Sequence, residues 1–462
     1  MNLLSSWARL PRYSRWLTAI GALTAVVALR QILYSLIGPE GDGVVFLLGN
    51  TLVTPTNVLR RVGMRLVNDC VFRASVNTSY DPEYRKMGVV QGDTVKARLP
   101  QRYVVGKGAT MNPTPVQDRT VDITITDQTH IGVQFGTWAL TLEVQDYMER
   151  YIAPAVDQIV NEIDDTGLDR MYKKVAKVVG TPGVVPGSTG TLPQAANQTY
   201  TDAVTKLKEA AVPNPYCAVL TPNMHGYLVN ANSTLFHPVA NIAVNFRNGQ
   251  FAAKQLGIDK WTMDQNVVTH TVGALGGTPL VNGASQTGAS ITADGASNSI
   301  TGYFKEGDVI QFASTNEINP LNRRSTTRLK DFVVTADVDS DGSGNLTIPI
   351  SPSIITSGNF QTATGSPANN DAITTFGHAS SYASTETPQA MVYHKDAFTC
   401  VMADLELPGG QWVAERLSNG TLGISIRFVK GYNVITDQSP ARIDTAHGWA
   451  AIREELACRV AS

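Results

Sequence analysis

Helical periodicity disappears from about Thr269 to Thr387 and returns on either side of that stretch. Within it, runs such as "GDVIQFA", "DFVVTADV" and "NLTIPI" lie between clusters of Gly, Ser, Asn and Asp, the punctuation of strands and tight turns. About 120 residues of this kind suffice for one barrel or sandwich. Mixed character resumes at "AMVYHKDAFTCVMADLEL" and continues through "GISIRFVKGYNVI". The simplest arrangement is an all-β unit inserted into a mixed α+β domain that resumes after it.

Upstream, residues 88–99 read as extended chain with a Gly92-Asp93 turn, and a polar loop from Pro100 to Asp118 follows. Val121, Ile123 and Ile125 then alternate on one face, and residues 129–136 alternate likewise. Residues 88–126 therefore form a long hairpin with a protruding tip. An isolated two-stranded ribbon is marginal in water, so the arm needs a neighbour to lie on. Helical spacing precedes it at Val58, Val62, Leu66 and Val67, with Thr54 or Thr56 as N-cap. The strongest helical stripe spans 142–179: Met148, Tyr151, Ile152, Ala155, Val156, Ile159, Val160 and Ile163, continued by Leu168, Met171, Tyr172, Val175 and Val179. Unbroken, it would be about 40 residues and about 55 Å long, with Pro154 kinking it or opening a second segment. Helices are also expected over 201–211, 222–231 and 250–256, and a short buried strand at "YCAVLTP".

The chain carries 462 residues, enough for two or three domains. Net charge is −2, so no basic field advertises nucleic acid as the main ligand. Charged residues are 16% of the chain, below the roughly 25% of ordinary soluble domains. That deficit, with 39 Gly and 23 Pro, suits β-structure buried in large contacts better than a compact enzyme. Cys70, Cys217, Cys400 and Cys458 form no C-x-x-C pair and lie in apolar surroundings, which reads as buried free thiols in a reducing compartment.

Little points to chemistry. "DVDSDGSGN" (337–345) opens like a calcium loop, but the twelfth position holds Ile348 where a bidentate Glu is needed, so a turn is favoured. His130, His225, His237, His270, His378, His394 and His447 lie far apart without metal-ligand spacing. Nucleophile-elbow, P-loop and dinucleotide motifs are absent from the sequence. No catalytic, cofactor or metal residue is nominated, and no enzyme or cofactor is expected. Two charged sets remain as candidate subunit contacts. Lys96, Arg98, Arg102, Lys107 and Arg119 put positive charge along the arm, suited to registering against an acidic patch of a neighbouring subunit. Glu162, Asp164 and Asp165 cluster on the long helix as a solvated or subunit-contacting face.

The order of these parts, with "NTLVTPT" (50–56), "ERYIAP" (149–154), "VGTPG" (179–183), "THTVG" (269–273), "GTPLVNGASQTG" (277–288), "DFVVTADV" (331–338), "TIPISP" (347–352), "LELPGG" (405–410) and "SPARIDTAHGWAAIREELACRV" (439–460), resembles the major capsid proteins of tailed bacteriophages. Within them it is most similar to the phage P22 coat-protein family, over about Asn50 to the C-terminus. The resemblance implies the tailed-phage capsid fold: an N-arm (50–87), an extended loop (88–128), a spine helix with peripheral domain (129–198), an axial domain (199–268), an inserted β-barrel (269–388) and an axial and peripheral return (389–462). It further implies hexamers and pentamers of an icosahedral head, assembled in the host cytoplasm with a scaffolding protein and a portal. That head encloses double-stranded DNA, touched non-specifically. Subunit crosslinking, known in relatives of the fold, is not carried over to Lys107. The rival readings are an encapsulin-like bacterial compartment and a secreted β-rich surface protein.

The last rival draws on "WLTAIGALTAVVALRQILYSLIG" (16–38), an apolar run behind Arg9, Arg12 and Arg15 that Arg30 interrupts. It is short of the roughly 20 residues a membrane span needs and lacks a clean cleavage site. Export conflicts with a shell built in the cytoplasm, so no membrane partner is expected. The working expectation is that some or all of residues 1–49 precede the true start, because Leu47 and Leu48 can each be encoded by the initiator TTG. An amphipathic extension, packed on the shell or removed on maturation, is the alternative. Mass spectrometry of the N-terminus decides between them.

Overall fold

The computed structural model describes residues 70–79, 94–103, 105, 108, 118–136, 153–188, 193–231, 254–376, 382–410, 413–419 and 424–462. The expectations for residues 1–69, the hairpin tip with Lys107, and the helical stripe before Ala153 lie outside them. The elements in chain order begin with strands β1 (Thr94–Arg98), β2 (Thr120–Thr124) and β3 (Asp127–Gly136), then helix α1 (Ala153–Tyr172), β4 (Val178–Gly180), α2 (Pro193–Glu209), β5 (Tyr216–Leu220) and α3 (Pro222–Ala231). Next come β6 (Lys260–Met263), β7 (Thr269–Thr271), β8 (Gly277–Val281), β9 (Gly288–Ala296), β10 (Val309–Phe312), β11 (Asn316–Ile318), β12 (Ser325–Leu329), β13 (Phe332–Val334), β14 (Leu346–Ile354) and β15 (Ile373–Thr375). The chain closes with β16 (Glu386–His394), β17 (Phe398–Ala403), β18 (Val413–Asn419), β19 (Ile424–Lys430), β20 (Gln438–Ala451) and β21 (Ala457–Ala461).

The expected hairpin is there, with Thr94 opposite Thr124 and Arg98 opposite Thr120. Alternation decides its seating. Val95, Ala97, Ile123 and Ile125 point inward and pack on Val401, Ala403, Ala446, Ala450 and Ile452 of β17 and β20 and just beyond. The arm therefore finds its first neighbour in its own chain. Gly448 in β20 permits the approach, since a Cβ there would lie 2.1 Å from the Thr124 carbonyl oxygen. Gly448→Ala is expected to push the arm root off the sheet, at about 1–3 kcal/mol; thermal denaturation reads the loss, and limited proteolysis of the hairpin reads the detachment.

β20 is the long spine of the sheet β17-β20-β19-β18, and β3 pairs along it from Gln438 to His447. Helix α1 lies over β3 and β20. Its tightest crossing is Gly167, where a Cβ would fall 2.5 Å from the Trp449 indole. A second sheet, β4-β21-β16-β5-β6, carries α2 over β4 and β21. Two expectations are corrected here. The stripe through Val175 and Val179 is not helix: α1 ends at Tyr172, and Val178–Gly180 pairs in parallel with Arg459–Ala461. Hydrophobic spacing alone could not tell a helical turn from a short buried strand. Residues 254–256 are a tight turn rather than helix, with Lys254, Leu256 and Gly257 all at positive φ.

The stretch 269–387 holds its own apolar core, in which Phe304, Phe312, Phe332, Ile348 and Ile350 are buried. Six strands run in the order β15-β10-β13-β14-β9-β8. A bridge between Leu280 and Ala372 joins the last to the first, closing a barrel-like ring. In the loop 337–345, Asp337 accepts from Glu306 N, Asp339 from Gly302 N, and Asp341 from Ser343 N and Asn345 N. Their carboxylates shape turns, with Gly344 at φ +78°.

Charge fills the seam between this core and the larger one. Lys206 Nζ lies 2.7 Å from Asp331 Oδ2, while Lys177 and Lys330 reach Glu317 at 3.9 and 3.3 Å. Tyr172 Oη, His270 Nδ1 and, through Nε2, Asp308 Oδ1 form a chain of 3.2 and 2.8 Å contacts. His270 is 4% exposed and Asp308 0%, so this trio ties α1 to the barrel within the protein interior. Arg459, wholly buried, donates to the Gly307 carbonyl at 2.8 Å.

Candidate assembly surfaces

Strand alternation that buries one face of β1 exposes the other, where Lys96 and Arg98 stand beside Thr94. Arg102 and Arg119, at the arm root, are instead engaged within the chain. Arg102 Nη2 lies 3.2 Å from Glu455 Oε1, and the Arg119 guanidinium sits 4.7 Å over the Phe360 ring in the loop between β14 and β15. These two contacts flank a cleft of about 380 Å³ between arm root, barrel and the turn at Glu454–Leu456.

The acidic set splits. Glu162 and Asp165 are exposed, but Asp164 is 3% exposed and belongs to no solvated face. The helical period explains the correction: Asp164 falls four residues after Val160 and four before Leu168, inside the buried stripe. Its carboxylate accepts from the backbone N–H groups of Phe72 and Arg73, each at 3.1 Å, and so pins the segment before the arm to α1. Burial pushes its carboxyl up to about 7, helped by the charge of Asp264 and opposed by those N–H donors. The sign follows: between the ordinary carboxyl value of 3.8 and about 7 the folded chain keeps a proton that the unfolded chain has lost, so this group costs stability as pH rises. His447, pushed down to about 4 by burial, works in the opposite sense, its cost growing as pH falls below 6.5. Asp164→Asn should therefore gain stability relative to wild type by roughly 2–3 kcal/mol between pH 4 and pH 7. That is less than the whole rise would give, because at pH 4 the unfolded carboxyl is only partly ionised and at pH 7 the folded one is already partly ionised. Urea unfolding at the two pH values measures it.

One surface had no signal in periodicity or charge. The β19–β20 hairpin leaves Val434 79% and Ile435 95% exposed, with Tyr432 47%. The loop is ordered by its own bonds: Asn433 and Gln438 pair through their backbones, Ile435 N donates to Asn433 Oδ1 and Tyr432 Oη to Asp437 Oδ1. The sequence shows only mixed character through "GISIRFVKGYNVI"; the register of β19 with β20 places Val434 and Ile435 at a tip.

A family profile described as "P22 coat protein - gene protein 5" matches residues 64–458. The chain belongs to the P22 coat protein family. No curated protein matches it. Among solved structures it is similar to one from Mycobacterium phage Che8, at 12% identity and TM-score 0.43, covering 85% of this chain and 90% of that one. The capsid of Myoviridae phage XM1 gives 8% identity and TM-score 0.38, over 85% and 92% of the two chains. A virus-like particle from Pyrococcus furiosus gives 9% and 0.37, over 88% and 98%. The assignment rests on the family profile and not on these distant likenesses. The arm face with Lys96 and Arg98 and the tip with Val434 and Ile435 are exposed in the single chain. Cys70, Cys400 and Cys458 are buried free thiols, while Cys217 is half-buried.

Proposed function

We propose that the chain is the major capsid protein of a tailed phage or prophage, assembling with copies of itself into an icosahedral head. The match to the P22 coat family over residues 64–458 carries this reading. Hexamers and pentamers, a scaffolding protein, a portal and packaged double-stranded DNA are the partners such a head needs. The near-neutral net charge of −2 suits a container that touches DNA without sequence preference. Assembly takes place in the host cytoplasm, where thiols such as those of Cys70, Cys400 and Cys458 stay reduced. The role is structural rather than catalytic: the buried titratable groups His270, Asp308, Asp164 and Asp331 are each spent on backbone or ion-pair contacts.

Of the candidate contacts, Lys96, Arg98, Glu162 and Asp165 present themselves to other copies, and Arg102 and Arg119 set the arm's angle. Electron microscopy of particles from cells expressing the full chain, with and without a co-expressed scaffolding protein, tests the reading. Closed shells of uniform size are expected; persistent monomers under both conditions would refute it. The apolar tip supplies a further prediction. Val434→Ser with Ile435→Ser should leave monomer stability within about 0.5 kcal/mol of wild type, since both side chains are exposed. Shell yield should nevertheless fall several-fold, because exposed apolar surface at a loop tip marks a contact with another copy.

A further inference from the structure

The cleft of about 380 Å³ at the arm root has the volume of a small-ligand pocket, which runs from roughly 300 to 1,000 Å³. Its apolar wall comes from three parts of the chain: Val121 of β2 on the arm side, Pro352, Ile355 and Phe360 on the barrel side, and Ile452 just beyond β20. Ile355 is 38% exposed, so part of this wall faces solvent in the single chain.

Charge in the cleft is uneven. Arg102, Arg119, Lys177, Lys330 and Arg453 stand against Glu317, Glu454 and Glu455. Two of the carboxylates are shared. Glu455 Oε1 takes Arg102 Nη2 at 3.2 Å and Arg453 Nε at 3.3 Å, and Glu317 takes Lys330 at 3.3 Å and Lys177 at 3.9 Å. Glu454 accepts from Ser351 Oγ at 3.0 Å, and burial pushes its carboxyl up, toward the neutral form. Arg119 forms no ion pair among the described residues; its guanidinium lies over the Phe360 ring at 4.7 Å. A guanidinium carries several N–H donors in a planar fork that fits a carboxylate, and Arg102 and Arg453 each spend only one nitrogen on Glu455. A neutral apolar molecule would leave these donors unanswered, and a bare polyanion would leave the apolar wall uncovered. We infer that this cleft binds a small amphipathic anion, an aryl or branched-alkyl carboxylate, with its head on the arginines of the rim and its body against Phe360, Ile355 and Pro352. Such an occupant touches arm root, barrel and the turn at Glu454–Leu456 at once. The site goes beyond the coat-protein reading and does not depend on it.

The photoreactive aryl carboxylate 4-benzoylbenzoate tests the site on the full-length chain. Calorimetric titration should show saturable binding in the sub-millimolar range. Neutral 4-benzoylbenzamide, which lacks the charge, and inorganic phosphate, which lacks the apolar body, should each bind at least tenfold more weakly. Arg119→Gln should weaken probe binding at least fivefold with the thermal transition unchanged, because Arg119 is exposed. Arg324→Gln, at an exposed barrel residue outside the cleft, should bind as wild type does. Irradiation should place the label on peptides carrying Ile355 and Phe360 or Leu99 and Pro100. Amide or phosphate binding as tight as the probe's, an unaffected Arg119→Gln chain, label confined to other peptides, or no saturation at millimolar probe would each overturn the site.

Discussion

Asp331→Ala is expected to lower the unfolding free energy by about 3–5 kcal/mol, the range for breaking one partner of a buried ion pair. Asp331 stands just before β13 and gathers three donors. Lys206 Nζ lies 2.7 Å away, Val178 N 3.3 Å, and Gln311 Nε2 donates to the other oxygen. Burial works against the charge on Lys206, but Asp331, with Cys458 and Glu317 nearby, more than offsets it, so the lysine is held protonated. Remove the carboxylate and a cation 9% exposed keeps only the Val178 carbonyl as a close partner. The expected readout is a lower urea midpoint together with an altered slope, because the barrel would separate from the sheets before its own core melts. Lys206→Met combined with Asp331→Leu should recover most of the loss, as apolar pairs replacing buried ion pairs commonly do. A loss under 1 kcal/mol in the single variant would show that the seam contributes little to holding the two cores together.

Phe72→Ala should cost a similar amount, about 3–5 kcal/mol, by opening a cavity in the aromatic centre of the larger core. Phe72 has no exposed surface. It stacks on Trp449 at 5.0 Å and 17°, with Tyr393 edge-on at 5.6 Å and Phe398 at 5.9 Å. The residues around it are stitched down in turn. Cys70 Sγ points to the Val160 carbonyl, Ser75 Oγ meets Tyr393 Oη at 2.5 Å, and Asn77 bridges to Thr399. Losing Phe72 therefore loosens a segment that several weaker contacts hold only while the ring is seated. Phe72→Leu, which keeps most of the volume, should cost clearly less, and calorimetry of the two variants side by side measures the difference. Equal losses would mean that the aromatic packing, and not the filled space, sets the energy.

How much of this was legible beforehand depends on the range of the interaction. The hairpin pairing Thr94 with Thr124 was readable because alternation and a turn signal act over a few residues. The β-rich stretch and its turns at Asp337–Asn345 were readable for the same reason. Asp164 was misread as part of a solvated face because three acids in four residues suggest a surface. Counting the helical period from Val160 would have placed it inward. Nothing local marks the apolar tip at Val434 and Ile435; its meaning comes from a loop's exposure in three dimensions.

The amino-acid sequence by itself determined the periods: where the chain alternates, where it turns, which stretch carries its own apolar core, and the order of parts that marks the family. These follow from sterics and hydrophobic patterning between near neighbours, which any window of a dozen residues contains. Only the tertiary structure decided that Val178–Gly180 is a strand, because its partner is the far C-terminal strand. It alone closed the barrel through Leu280 and Ala372, seated the arm on Gly448, and buried Asp164, Asp331 and Arg459. The energy of a charge is set by desolvation and by partners brought from distant parts of the chain, and no local pattern encodes either.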